Sequence, residues 1–311
     1  MFCSLASRWL LISVCTSLIL VKPSYAQSPR PVVVLIHGRD QGKRKEADVR
    51  KEFVDGLFAG LQRANLQNIV GTGDVKFVWY GDIYADDGVD RTCPFVQTVP
   101  PAEQNARQSL SDAVRRFLVS AAGSVPGLER GLSDLLIHDT EEYLSKANFR
   151  CATDKRLASI LNEAHARQQP VIIAAHSMGS LVTFSVLRRL DVDGQIGVAH
   201  LVTMGSQLGM NEVLRALDGS HTSIPVKVPI SIQHWTNLVA KGDLLALRQS
   251  GFFDATDPQR KPADTEVDNG NQHPHDAASY LQQRLAARTI AKAFCDSFPV
   301  AARPSACSAL R

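Results

Sequence analysis

A serine hydroxyl set between two small residues is the first group in this chain that could do chemistry. Ala175-His176-Ser177-Met178-Gly179 follows the apolar, largely β-branched run from Val171 to Ala175. It leads into a segment with Leu181, Val182, Ser185 and Val186 at helical spacing. Strand, sharp turn and helix in that order make a close variant of the G-x-S-x-G nucleophile elbow, whose strained turn lifts the serine Oγ clear of a sheet. Small residues are required two places before and after the serine, where strand and helix approach closely, and Ala175 and Gly179 meet that requirement. Such a serine attacks a carbonyl only if an imidazole takes its proton, so the chain must also supply a base and a group to orient it.

In a sheet of this kind the acid follows the serine and the base follows the acid. Of nine histidines, His37 is read as ordering the loop after the first strand, and His176 as pointing away from its neighbour Ser177. The others, apart from two, are placed on helices outside the core, at strand starts or in turns. His273 and His275 remain, in the loop before the last helix. His275 is preferred because His275-Asp276 followed by Tyr280-Leu281 gives the cleaner entry to that helix. The acid should sit in the turn after a late strand, where a buried carboxylate can orient the imidazole. Asp243 occupies that place, with Asp254, Asp257 and Asp268 as rivals. Two backbone N–H donors must face the developing oxyanion. Met178, which opens the elbow helix, is one, and Arg39 after His37-Gly38 is the other, with Asp40 as its alternative.

Other constellations carry less. His273-x-His275 with Asp276 is half a metal site without further ligands at suitable spacing. Gly71-Thr72-Gly73-Asp74 resembles a phosphate loop, yet it precedes a strand and does not join a strand to a helix, so it reads as a turn. The basic stretch from Arg39 to Lys51 reads as a solvated loop or helix start. Without Arg8 and Lys22 of the first 26 residues, the 34 Lys and Arg against 31 Asp and Glu leave a formal charge near +1, which gives no reason to expect nucleic acid or an anionic membrane as a partner.

The elements that would position these groups alternate. Val32 to Ile36 is a continuous apolar run, as expected of a strand covered on both faces. Phe53, Leu57, Phe58 and Leu61 fall on one helix face. Further strands are expected at Val75 to Tyr80, His200 to Met204 and Ile230 to Val239, and a polar loop from Asp254 to His275. A helix with Leu157, Ile160, Leu161 and Ala164 returns to the elbow strand, capped by Thr153 or Asp154. One last helix would hold Tyr280, Leu281, Leu285, Ile290 and Phe294. This alternation implies an α/β fold with a doubly wound, mostly parallel sheet. The stretch from about 84 to 151 does not fit it. With helical repeats at Ala106 to Ala121 and Leu128 to Tyr143, it reads as a helical cap or lid inserted into one domain spanning 27 to 311.

Residues 1 to 26 read as a secretory signal peptide. Arg8 precedes the apolar run Trp9 to Val21, and Ser24-Tyr25-Ala26 offers a small-residue cleavage site. The run is too short for an ordinary membrane-spanning helix. Export places Cys93, Cys151, Cys295 and Cys307 in an oxidising compartment, where Cys295 with Cys307 and Cys93 with Cys151 are the expected disulfides.

Taken together, VVVLIHG, AAHSMGSLV, LVTMGS, the Gly242-Asp243 turn and HPHDAASYL resemble the α/β-hydrolase superfamily, within its esterase and lipase group. The resemblance implies a serine hydrolase with a Ser177, Asp243, His275 triad that cleaves carboxylic esters through an acyl-enzyme. It implies no cofactor, and a small-molecule or lipid ester as substrate, with transient contact at a lipid interface. Ala175 in the first glycine position and the basic loop after Gly38 depart from the pattern, and the second departure bears on the Arg39 donor. An acyltransferase or amidase with the same triad, and a non-catalytic binding protein of the same fold, are the alternatives.

Overall fold

The structure is a computed structural model that describes residues 29–39, 41–85, 88–92, 132–190, 196–218, 223–270 and 272–310. The expected signal peptide, Cys93, Asp40 and the helical repeat at Ala106 to Ala121 therefore lie outside the described residues.

Six strands form one sheet: β1 (Val32–Ile36), β2 (Val75–Val78), β3 (Val171–His176), β4 (Val198–Met204), β6 (Trp235–Ala240) and β8 (Pro262–Val267), in the order β2-β1-β3-β4-β6-β8. Every pairing in it is parallel. Two short strands, β5 (Val226–Lys227) and β7 (Phe253–Asp254), pair separately. The helices, in chain order, are α1 (Glu46–Arg63), α2 (Gly81–Ala85), α3 (Leu132–Ser145), α4 (Ala147–Ala166), α5 (Met178–Leu190), α6 (Asn211–Asp218), α7 (Ala277–Leu281) and α8 (Arg284–Asp296).

The apolar runs of β1 and β3 have no polar alternation because both faces of the sheet are covered. Val32, Val34 and Ile36 join Val171, Ile173 and Ala175 in a core completed by residues of α4, α5 and α6. Val33, Leu35, Ile172 and Ala174 face the opposite way, onto Phe53, Leu57 and Leu61 of α1 and onto α7 and α8. The expected doubly wound α/β arrangement is thus present. From β1 the chain passes to β2 on one side, and β3 then pairs with β1 on the other. This reversal opens a crevice at the carboxyl ends of β1 and β3, where open α/β sheets bind ligands.

Several boundaries differ from expectation. Thr153 and Asp154 do not cap a helix; they are buried inside α4, which starts earlier, at Ala147. The strand expected from Ile230 begins at Trp235, and Ile230 is 74 % exposed. The last helix is broken in two by Gln282 and Gln283, and Leu285 lies half-exposed beyond the break. Within the supposed polar loop, Pro262–Val267 is the edge strand β8. Its apolar residues are confined largely to the two ends, so the stretch lacks the hydrophobic pattern that marks β1 or β3. Gly71-Thr72-Gly73-Asp74 is a tight turn closed by the Asp74 carboxylate on the Gly71 N–H at 2.8 Å and held by Arg30.

Cys295 and Cys307 form the expected disulfide, which ties the C-terminal segment to α8. Among the described residues no helix is long and apolar enough to cross a membrane.

Candidate functional site

Ser177 stands between β3 and α5 with φ at +52°, a left-handed conformation uncommon for a side chain larger than glycine. The strain is held by its surroundings. Its N–H donates to the carbonyl of Met204 at the end of β4, 2.8 Å away, and its own carbonyl accepts from Ser180 Oγ. The small residues around it are required by distance. A Cβ on Gly179 would lie 2.5 Å from the His37 carbonyl oxygen, and one on Gly38 would lie 2.9 Å from Ser177 Cβ. The turn after β1 and the turn after β3 are therefore in direct contact.

Chain order and strand order converge on the serine. His275 Nε2 lies 3.0 Å from Ser177 Oγ, and His275 Nδ1 lies 3.0 and 2.9 Å from the two carboxylate oxygens of Asp243. A carboxylate only accepts, so Nδ1 carries the proton and the Nε2 lone pair faces the serine hydroxyl. Asp243 is delivered by the turn after β6, in which Gly242 adopts φ +76°. Burial pushes its carboxyl up, but hydrogen bonding and charge from His275, the Tyr280 hydroxyl and the Leu245 N–H outweigh it and hold the group below its ordinary value. The acid is buried, with its side chain 1 % exposed, whereas the His275 side chain is 25 % exposed and opens toward solvent.

The rivals are engaged elsewhere. His273 is exposed, and its carbonyl accepts from the Asp276 N–H in the turn leading to α7. Asp254 is paired with Lys227 and Lys261, Asp257 caps a short helix through the Gln259 N–H, and Asp268 accepts from the Gly270 N–H.

His37 does order its loop. Its Nε2 accepts the Tyr80 N–H at 3.1 Å, and its Nδ1–H donates to the Gly38 carbonyl, which also lies 3.1 Å from the Tyr80 hydroxyl. Burial lowers its titration to about 3, so the ring stays neutral. His176, in contrast, does not point away from the site. Alternation along β3 puts it on the face of Ile172 and Ala174, where α7 and the loop before it pack. Its Nε2 there lies 2.8 Å from the His275 carbonyl oxygen.

Gly38, Arg39, His176, Ser177, His275 and Asp276 line a cavity of about 230 Å³, with Gln41, Phe53 and the Arg44–Glu52 ion pair along its outer wall. Met178 is the first residue of α5, so its N–H has no carbonyl partner within that helix. Arg39 is 7 % exposed. Among the described residues, no group of three or more His, Cys, Asp or Glu side chains is placed to hold a metal ion.

Sequence reasoning missed two residues of this site. Tyr280, expected only as a core residue of the last helix, donates to Asp243 at 2.6 Å. His176 is the other: strand alternation along β3 alone places it beside whatever packs on that face. Comparison with family models, with curated proteins and with solved structures finds no match to this chain.

Proposed function

We propose that this protein is an exported serine hydrolase of the α/β-hydrolase type, cleaving carboxylic esters through an acyl-enzyme. The observation that carries the reading is the single imidazole of His275, within 3.0 Å of both the Ser177 hydroxyl and the Asp243 carboxylate. A buried acid, a half-open base and a serine on a strained turn at the sheet's switch point are what nucleophilic acyl transfer requires.

In this reading His275 Nε2 takes the Ser177 proton as Oγ bonds to the ester carbonyl carbon. Asp243 stabilises the resulting imidazolium through Nδ1–H. The carbonyl oxygen, now negative, is received by the N–H groups of Met178 and Arg39, and each such donor contributes about 3 kcal/mol to barrier lowering in comparable sites. Collapse breaks the C–O bond, and the departing alkoxide takes the proton from Nε2. Water then attacks the acyl-enzyme, giving its proton to Nε2, and the second collapse returns that proton to Ser177 Oγ and releases the acid.

The cavity beside Ser177 is smaller than the 300 Å³ or more of typical small-molecule pockets and has charged walls. This supports a short substituent on that side of the scissile bond. The test is a series of p-nitrophenyl esters from acetate to laurate, followed for p-nitrophenol release with and without an emulsion. The reading expects turnover that Ser177→Ala abolishes, and an acetate or butyrate optimum. Turnover that survives in Ser177→Ala, or none with any ester, would overturn it.

A further inference from the structure

Tyr280 takes no part in the proton transfers described above, yet the acid is built against it. Its hydroxyl donates to Asp243 Oδ2 at 2.6 Å and accepts the Ala240 N–H at 3.0 Å. Ala240 ends β6, the strand that delivers Asp243, while Tyr280 belongs to α7, the helix entered from His275. One hydroxyl therefore ties the turn that carries the acid to the segment that carries the base. The other carboxylate oxygen, Oδ1, is held by the Leu245 N–H at 3.0 Å. With one donor from the protein on each oxygen, the carboxylate is fixed in a plane that leaves both oxygens facing His275 Nδ1.

We infer that Tyr280 is a positioning residue for Asp243 and that its hydroxyl sets how strongly Asp243 holds the proton of His275; the inference rests on the hydrolase reading only for its kinetic consequences. A donor on Oδ2 draws charge from the carboxylate and weakens its hold on Nδ1–H. Taking the donor away leaves a more basic carboxylate, which favours the charged imidazole. Burial, and then the neighbouring Asp243 charge, push the Tyr280 phenol far above its ordinary range, so it remains a donor wherever the enzyme would work. The other titratable or charged groups around the couple are His176 from the end of β3, Arg39 from the turn after β1 and Asp276 at the cap of α7, with Arg44 and Glu52 paired in the cavity wall. Tyr280 is hydrogen-bonded directly to Asp243, so a change confined to its hydroxyl reads that contact.

The experiment uses the full chain with Tyr280→Phe, and with 3-fluorotyrosine at position 280, which keeps the shape and strengthens the donor. Two quantities are read: the kcat/KM profile for p-nitrophenyl acetate against pH, and the ¹⁵N NMR titration of the His275 ring. Tyr280→Phe is expected to lower kcat about three- to tenfold, the worth of one net hydrogen bond, because loosening of the carboxylate outweighs its firmer hold on the imidazolium, with KM nearly unchanged. It is also expected to move the acidic limb and the NMR midpoint to higher pH. The fluorotyrosine form should move both to lower pH. If the phenylalanine form does not fold, the fluorotyrosine form carries the test alone. Unmoved midpoints in folded protein would reduce Tyr280 to a core residue and overturn the inference. The NMR titration needs no turnover, so absence of ester cleavage in the parent protein would count against the hydrolase reading alone.

Discussion

His176 Nε2 lies 2.8 Å from the carbonyl oxygen of His275, so the residue immediately before Ser177 holds the backbone of the proposed base, with the two rings 4.8 Å apart. A carbonyl accepts, so the His176 proton sits on Nε2. Burial, then the nearby His275, lower the His176 titration to about 3, which keeps the ring neutral. It therefore adds no charge beside the imidazolium that the proposed acyl transfer would form.

Removing that anchor should loosen the base. His176→Ala is expected to lower kcat about tenfold or more, as small misplacements of reacting groups do. His176→Gln, whose amide N–H can reach the same carbonyl, should recover part of the loss. Steady-state kinetics on a short ester, comparing kcat of the alanine and glutamine variants, decides this.

Gly205 directly follows β4 with φ +60°, and a Cβ there would lie 2.9 Å from His275 Cε1 and 3.1 Å from Asp243 Oδ2. Gly205→Ala meets both a conformational and a steric penalty. It should lower unfolding free energy by about 1–2 kcal/mol and turnover by roughly a hundredfold. Denaturant titration alongside the ester assay separates the two effects, and full activity in the variant would show that the base does not need this space.

The sequence was most legible where one residue has one physical job. The unbroken apolar runs of β1 and β3 announce a sheet covered on both faces, and the small residues around Ser177 announce a close approach, now seen in the distances to Gly179 and Gly38. Chain order restricts where an acid and a base could stand, and it points to the same Asp243 and His275 that the structure sets beside Ser177. What failed to show were relations made only by packing. β8 is an edge strand without a hydrophobic pattern, and Tyr280 reads as a core residue because its ring is buried while its hydroxyl bonds Asp243. The expected cap falls largely outside the described residues, and its other end runs directly into α3 and α4.

Asp154 gives the fold a pH dependence of its own. Burial raises its carboxyl to about 6, against the opposing charge of Arg189 and the hydrogen bond from Tyr143. The unfolded chain titrates near 3.9, so the native state binds the extra proton between the two values. The stabilisation from this group is complete below about pH 4 and is lost as pH rises through about 6, by up to roughly 3 kcal/mol. Urea titrations from pH 4 to 7 should show the parent losing that stability relative to Asp154→Asn, with the difference level above pH 7.

The Cys295–Cys307 bridge closes a segment with a sequence separation of 12. Loop entropy for such a closure is about 3 kcal/mol. The paired Cys295→Ser, Cys307→Ser variant should unfold at lower denaturant by about that amount while keeping any ester turnover, since neither cysteine lines the cavity at Ser177. Unchanged stability would place the C-terminal segment outside the cooperative fold.

The central claim is that Ser177 is a nucleophile activated by His275. Reaction with a fluorophosphonate, followed by mass spectrometry of the digested protein, tests it most directly. The expected result is one adduct on Ser177 in the parent protein, at least a hundredfold slower in His275→Ala and as fast as the parent in His273→Ala. A folded protein that forms no adduct at Ser177, or that labels equally well without the His275 imidazole, would contradict it.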